Sequence, residues 1–205
     1  MWWKILAGAI TAMMVLVGVG AEAEARQVVG TVNRIQGTAS ALYNAEERPL
    51  AVGAEVYQDD ALNTGADARL QVTLIDGSQL TLGENAGMLV SDLIVAPDAR
   101  PRGPVMSLLK GVFALSAART TGAEIKTPVA TIGIRGTQLW GGPLAGALDV
   151  LLLEGKIDVT TPAGQVVLDQ PGQGTVIATA GEAPGAVGLW SQEKVAWAVA
   201  TVSFR

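Results

Sequence analysis

The chain has 205 residues, with 14 Lys and Arg against 19 Asp and Glu, a formal net charge of −5 at pH 7, and neither His nor Cys. Without His or Cys there is no Ser-His-Asp or Cys-His pair, no conventional zinc ligand set and no disulfide framework. No Lys/Arg cluster is present that could release counterions from a phosphate backbone, so nucleic acid is not an expected partner.

Met1-Trp2-Trp3-Lys4 is followed by the uncharged, mostly apolar run Ile5 to Gly20, and Ala23-Glu24-Ala25 forms an A-x-A box. A cationic start, a short apolar core and small residues at the cut are the pattern of a signal peptide. Residues 1–25 are assigned to it, with cleavage after Ala25 and Ala23 as the alternative. The apolar run falls short of the roughly 20 residues needed to span a bilayer. Without Cys there is no lipid attachment at a lipobox, so no stable membrane anchor is expected after cleavage. Residues 26–180 are read as one β domain, and 181–205 as a flexible connection and tail. The expected location is periplasmic, or otherwise exported.

After the signal, runs of alternating or β-branched residues recur, punctuated by Gly, Pro, Asp and Asn. Val28 to Ile35 and Thr38 to Tyr43 are the first pair. Ala68 to Ile75, Asp76-Gly77 and Ser78 to Leu82 form the clearest hairpin. Leu70, Val72 and Leu74 share one face there, and Asp-Gly suits a tight primed turn. The next strands are expected at Val105 to Leu109, Val112 to Leu115, Val129 to Ile134 and Val150 to Leu153. Ile157 to Thr160, Val166 to Leu168 and Thr175 to Ala178 complete the set. Pro97 to Pro104, with three prolines that cannot donate ladder hydrogen bonds, is expected to be an exposed loop. Gly181 to Gly188 reads as the connection, and Leu189 to Val199 fits a short helix opened by a capping Ser.

Leu108 to Ser116 and Leu152 to Thr160 echo each other: two apolar residues, a charge, Gly, then alternation. Each reads as strand, Gly-kinked corner, strand. Leu74-Ile75-Asp76-Gly77 begins alike, but its next apolar residue comes one position later, which flips the face unless the turn absorbs a residue. The fold class is therefore all-β, a short-stranded sandwich or a solenoid-like β fold, with a short C-terminal helix.

Chemistry-bearing patterns are sparse. Ser116, Lys110 and Lys126 supply a Ser and two Lys, but no spacing brings them together. Carboxylates at Glu84, Asp92, Glu124, Asp149 and Glu154 mostly flank Gly or turns, where acids serve solubility and turn geometry. A hydrolase would need two of them at a fixed separation that spacing cannot show. Asp59-Asp60 and Glu46-Glu47 lack the alternating ligands and loop Gly of an EF-hand and read as solvated loop. Gly141 to Gly146 lacks the Lys and Ser/Thr of a P-loop, Gly172-Gln173-Gly174 lacks a dinucleotide fingerprint, and both read as turns. No catalytic, metal or cofactor-binding residue is assigned, and no cofactor is expected.

What stands out is Thr127-Pro128-Val129-Ala130-Thr131-Ile132-Gly133-Ile134-Arg135-Gly136-Thr137. An Arg in an apolar strand is costly to bury without carboxylate or carbonyl partners, and the following Gly permits a bulge or close backbone approach. Two roles are open for Arg135: a structural tie between loop and sheet, which is the favoured one, and ligand binding.

At this motif the chain resembles the FecR domain, whose signature is similar to "T-P-x-A-x-x-x-x-R-G-T". Thr127, Pro128, Arg135, Gly136 and Thr137 are the matching positions, and the resemblance makes them family-motif residues of structural character. Gly30-Thr31-Val32, Ile35-Gln36-Gly37, Leu50, Gly53 and Leu62-Asn63-Thr64-Gly65 resemble the family's earlier elements in order. The Asp76-Gly77-Ser78 hairpin, Lys110-Gly111, Glu154-Gly155 and Pro171-Gly172-Gln173-Gly174 continue the run, over about Val28 to Val176. The resemblance implies a non-enzymatic domain of the kind found in the periplasmic part of transmembrane regulators that take a signal from an outer-membrane transporter and control a sigma factor. Only Met1 to Ala25 precedes the domain here, so the cytoplasmic output is not carried over. The leading expectation is a periplasmic module that binds an envelope protein or ligand, with exposed strand edges suited to β-augmentation. The alternative is a structural or glycan-binding envelope module.

Overall fold

A computed structural model describes residues 26–95, 101–118 and 121–205. The expected signal peptide lies outside them. The chain forms β1 (Val28–Gln36), β2 (Ala39–Tyr43), β3 (Glu46–Pro49), β4 (Glu55–Tyr57), β5 (Ala61–Thr64), β6 (Arg69–Leu74), β7 (Gln79–Leu82) and β8 (Gly87–Val95). It continues through β9 (Pro101–Lys110), β10 (Phe113–Ser116), β11 (Thr121–Lys126), β12 (Thr131–Pro143), β13 (Leu148–Thr161), β14 (Gly164–Leu168), β15 (Gln173–Ile177) and β16 (Gly188–Leu189), and ends in α1 (Gln192–Ala200). The fold is all-β with a short C-terminal helix, as the alternation and the capping Ser indicated.

All the strands belong to one sheet, but the long hairpin β12–β13 divides it into two curled halves. The second part of β12 pairs with β10 and the first part of β13 with β15. The first part of β12 pairs instead with β11, and the last part of β13 with β14. One half therefore runs β4-β1-β6-β7-β10 into the hairpin, and the other runs β3-β2-β5-β8-β9-β11 into it. A single apolar core draws on both halves, with Leu70, Leu80 and Leu115 from the first and Leu62, Met88 and Ile125 from the second.

The chain passes repeatedly between the halves, and the one sheet curls into a half-barrel instead of separating into the two sheets of a sandwich. At the passages the backbone takes positive φ, at Gly37, Gly53, Asp59, Asp67, Asn85, Gly111, Gly136, Gly155 and Gly172. The echo between the segments around Gly111 and Gly155 is thus a shared way of turning a corner. At Gly111 the corner separates β9 from β10, whereas Gly155 lies inside the continuous β13, opposite the β12 bulge at Gly136 and Thr137.

Three expectations are corrected. The Asp76-Gly77 hairpin is not a primed two-residue turn. Gly77 alone has positive φ, its N–H bonds to Leu74 O, and Leu74 N–H bonds to Ser78 O, giving a three-residue loop with a Gly bulge. This loop absorbs the extra residue, so Val72 faces Leu80 and Leu70 faces Leu82 with all four buried. Of the loop expected over Pro97 to Pro104, residues 97–100 lie outside the described residues, and Pro101 to Pro104 are not loop but the start of β9, paired with β8 beyond the stretch where β11 joins. Among the described residues, β11 pairs with β9 only over Val105 to Ser107, past the prolines and their missing N–H groups. Gly141 and Gly142 lie within β12 and Gly174 within β15, not in turns. A Cβ at Gly141 would come within 2.6 Å of the Phe113 ring, so these glycines serve close packing.

The tail closes the outer face of the first half. In β13, Val150 and Leu152 point into the main core, while Leu151 joins Trp140, Val112, Ala198 and Val202 in a second cluster. That is why Val150 to Leu153 is continuously apolar: both faces of the strand are covered. Ser191 caps α1 by accepting from Lys194 N–H, Trp140 Nε1 donates to Thr201 Oγ1 at 3.0 Å, and the Trp140 and Trp190 rings meet edge to face at 6.3 Å. The expected connection is tied as well, because Gly185 N–H bonds to Val176 O and Thr175 Oγ1 donates to Gly185 O.

Candidate functional site

The family-motif residues fall into two structural units. Thr127 to Ala130 is the turn between β11 and β12. Thr127 N–H bonds to Ala130 O, and Thr127 Oγ1 accepts from Ala130 N–H at 2.9 Å. Thr caps its own turn, and Pro128 occupies a position with no ladder hydrogen bond to lose. The second unit is the bulge at Arg135-Gly136-Thr137, facing Gly155 in β13. Thr137 is buried, and its hydroxyl donates to Lys156 O at 2.8 Å while accepting from Lys156 N–H at 3.3 Å, which pins the two strands across the irregularity.

Arg135 lies on the outer face, its side chain 72% exposed, with Nε 3.8 Å from Asp158 Oδ2. Period-2 alternation explains this: Ile132 and Ile134 point inward, so Arg135 points out. An exposed pair of that length adds little. Within the motif, Thr127 and Thr137 make the fixed contacts, Gly136 supplies the positive φ of the bulge, and Arg135 stays at the surface.

Thr127 to Val129 form a ridge between two clefts. One, of about 250 Å³, is apolar, with Leu109, Val129, Leu148 and Ile177 on its walls and Lys110 at its edge. The other, of about 460 Å³, is more polar and includes Thr131, Thr160 and Thr161. Leu109 is 52% exposed, a large apolar side chain left facing solvent beside the ridge. Nearby, β14 is a sheet edge: among the described residues it pairs only with β13, and Val167 stands exposed on it.

The sequence reading missed a buried polar cluster near the start of the domain. Asp60, expected in a solvated loop, is buried and accepts from Arg26 Nη2 at 2.7 Å, Arg48 Nη2 at 2.8 Å and Tyr57 N–H at 2.9 Å. Its neighbour Asp59 does face solvent, and Glu46 and Glu47 are exposed in β3. The Arg26 guanidinium lies 3.6 Å over the Tyr43 ring and 5.0 Å from that of Tyr57. Tyr57 Oη donates to Glu55 Oε2 at 2.7 Å, which together with the Glu55 charge holds the phenol above its usual range. The sequence clue was that both Tyr residues of the chain lie among the Arg and acids of one stretch. Of the candidate carboxylates, Asp149 is buried and paired with Lys194 at 2.8 Å. No group of three or more acidic side chains among the described residues is placed to hold a metal ion.

No curated protein matches the chain in sequence. Two crystal structures of a candidate anti-sigma factor from Parabacteroides distasonis ATCC 8503 share its fold, each at a TM-score of 0.54, with 16% and 17% identity. Each match covers 66% of this chain and 62% of that one, so the chain spans under two thirds of the length of those neighbours. The family model described as FecR protein matches residues 60–158, from the buried Asp60 through the ridge and bulge to Asp158 opposite Gly133. The motif similarities before Asp60 and after Asp158 lie beyond that match. Over residues 60–158, this chain carries a FecR domain.

Proposed function

We propose that the chain is a non-enzymatic signalling module that works by binding another protein of the bacterial envelope. The observation that carries this reading is the FecR match, in which the ridge Thr127 to Val129 is flanked by an apolar cleft with Leu109 exposed at its wall. Fold likeness to a candidate anti-sigma factor supports a regulatory setting. In this reading residues 1–25 are an export signal, the partner lies in the periplasm, and the free edge of β14 offers main-chain pairing beside the clefts. Thr127, Pro128, Gly136 and Thr137 shape the surface, and Arg135 is available on its outer face.

Affinity capture with tagged protein from envelope extracts tests it. One defined protein should be enriched, and Leu109→Arg should remove it while the melting temperature is unchanged. Retention on cell-wall polysaccharide with no captured protein would overturn the reading.

A further inference from the structure

A third cleft, which shares no lining residue with the other two, lies between α1 and the β12–β13 turn, with a volume of about 320 Å³. That is at the lower end of the range for small-ligand sites. One wall is Trp197, whose side chain is 56% exposed although the other tryptophans of the tail cluster are packed. The opposite wall is Leu144 and Ala145, and the floor is the Asp149–Lys194 ion pair with Glu193 beside it.

The floor has unused hydrogen-bonding capacity of both signs. Lys194 Nζ carries three N–H groups. One goes to Asp149 Oδ1 at 2.8 Å, and the ammonium also sits 3.7 Å over the Trp190 ring, which leaves donor capacity toward the cleft. Asp149 Oδ2 makes only a long contact of 3.4 Å with Leu144 N–H, which leaves it able to accept. Because Asp149 is buried and Lys194 is held between it and Trp190, the donor and acceptor are fixed side by side.

A fixed donor next to a fixed acceptor, beneath an exposed indole face, complements a molecule with adjacent hydroxyls around its rim and a C–H face. We infer that this cleft binds a neutral saccharide: one hydroxyl accepts from Lys194, its neighbour donates to Asp149, and the sugar's C–H face stacks on Trp197. An apolar ligand would leave the floor unpaired, which is costly. An anionic sugar would face Asp149 and Glu193 in a chain that is itself acidic.

Saturation-transfer NMR on the full chain tests this with two neutral probes, chitotetraose and maltotetraose. Transfer to sugar-ring protons is expected with at least one of them. Trp197→Ala should weaken binding by about tenfold or more, and Trp197→Phe should restore part of it. Near-UV circular dichroism of both variants checks that the tail cluster is intact. No transfer with either probe, or transfer undiminished in a folded Trp197→Ala variant, overturns the assignment.

Discussion

Arg26 and Asp60, 34 positions apart, meet at 2.7 Å and join the first described residue to the turn between β4 and β5. The same carboxylate holds Arg48 from β3, and Arg48 Nη1 donates to Glu55 O in β4 at 3.1 Å. Because β3 and β4 are the outermost strands of the two halves, this cluster ties together the margins that the β12–β13 hairpin leaves apart. The core is thus bridged on both sides, by a shared hairpin on one and by a buried ion cluster on the other.

Asp60→Ala should therefore destabilise strongly, because it leaves two guanidinium groups and the Tyr57 N–H without their acceptor. Removing one partner of a buried pair costs about 3–5 kcal/mol, and the partial exposure of Arg26 and Arg48 lowers the expectation to about 2–3 kcal/mol. Arg26→Ala, with Arg48 still in place, should cost about half as much. Urea denaturation followed by circular dichroism measures both, and equal stability of Asp60→Ala and wild type would refute the role given to the cluster.

Gly155 and Gly136 both have positive φ, 87° and 60°, but only one of them is sterically enclosed. A Cβ at Gly155 would lie 2.5 Å from Gly136 O, whereas at Gly136 nothing comes within 4 Å. Gly136→Ala should cost only the left-handed backbone penalty of about 1–2 kcal/mol, and Gly155→Ala clearly more. The order of the two midpoints in one denaturation series checks this.

Thr137→Val keeps the shape of a buried side chain and removes its hydroxyl. Lys156 O and N–H both lose a partner across the bulge, so a loss of about 1–3 kcal/mol is expected. Arg135→Ala, two residues away, should change stability by less than about 0.5 kcal/mol. A comparable loss from Arg135→Ala would show that the exposed guanidinium does more structural work than its 3.8 Å contact indicates.

The Tyr57 phenol, raised above 10.0 by its hydrogen bond to Glu55, should ionise above the ordinary phenol range in an absorbance titration. Its neutral form is the one favoured by folding, so this contribution to stability is fully present below the unfolded value near 10.0 and fades as pH rises through the folded one. Glu55→Gln removes the charged acceptor and should move the Tyr57 midpoint down toward 10.0.

Deleting residues 190–205 should expose Trp140 and Leu151 on the outer face of the first half. Binding of a hydrophobic dye by the shortened protein, together with a lower melting temperature, is expected if the tail is part of the domain. An unchanged melting temperature would mark it as an appendage.

Local rules written in the residues governed the strands, their inward faces and the capped helix. Alternation at Leu70, Val72 and Leu74 does not depend on what lies opposite, and Ser191 caps the turn that follows it whatever that helix covers. The same alternation places Arg135 outside, although its apolar neighbours drew attention to burial. The Thr127 turn and the Gly136 bulge were legible because turn capping and positive φ act over a few residues.

Contacts between distant positions could not be read that way. Asp60 looks like any loop acid until Arg26 and Arg48 are brought to it, and the prolines at 101 and 104 look like loop until β11 is seen to join β9 only beyond them. Lys194 and Asp149 lie 45 positions apart, and nothing in either neighbourhood announces the cleft they floor. The sequence by itself determined an all-β chain without His or Cys and the FecR motif. Tertiary structure alone decided the winding between two halves, the seam at Asp60 and the placement of exposed Leu109 and Trp197, because each depends on non-local pairing that no short window of residues encodes.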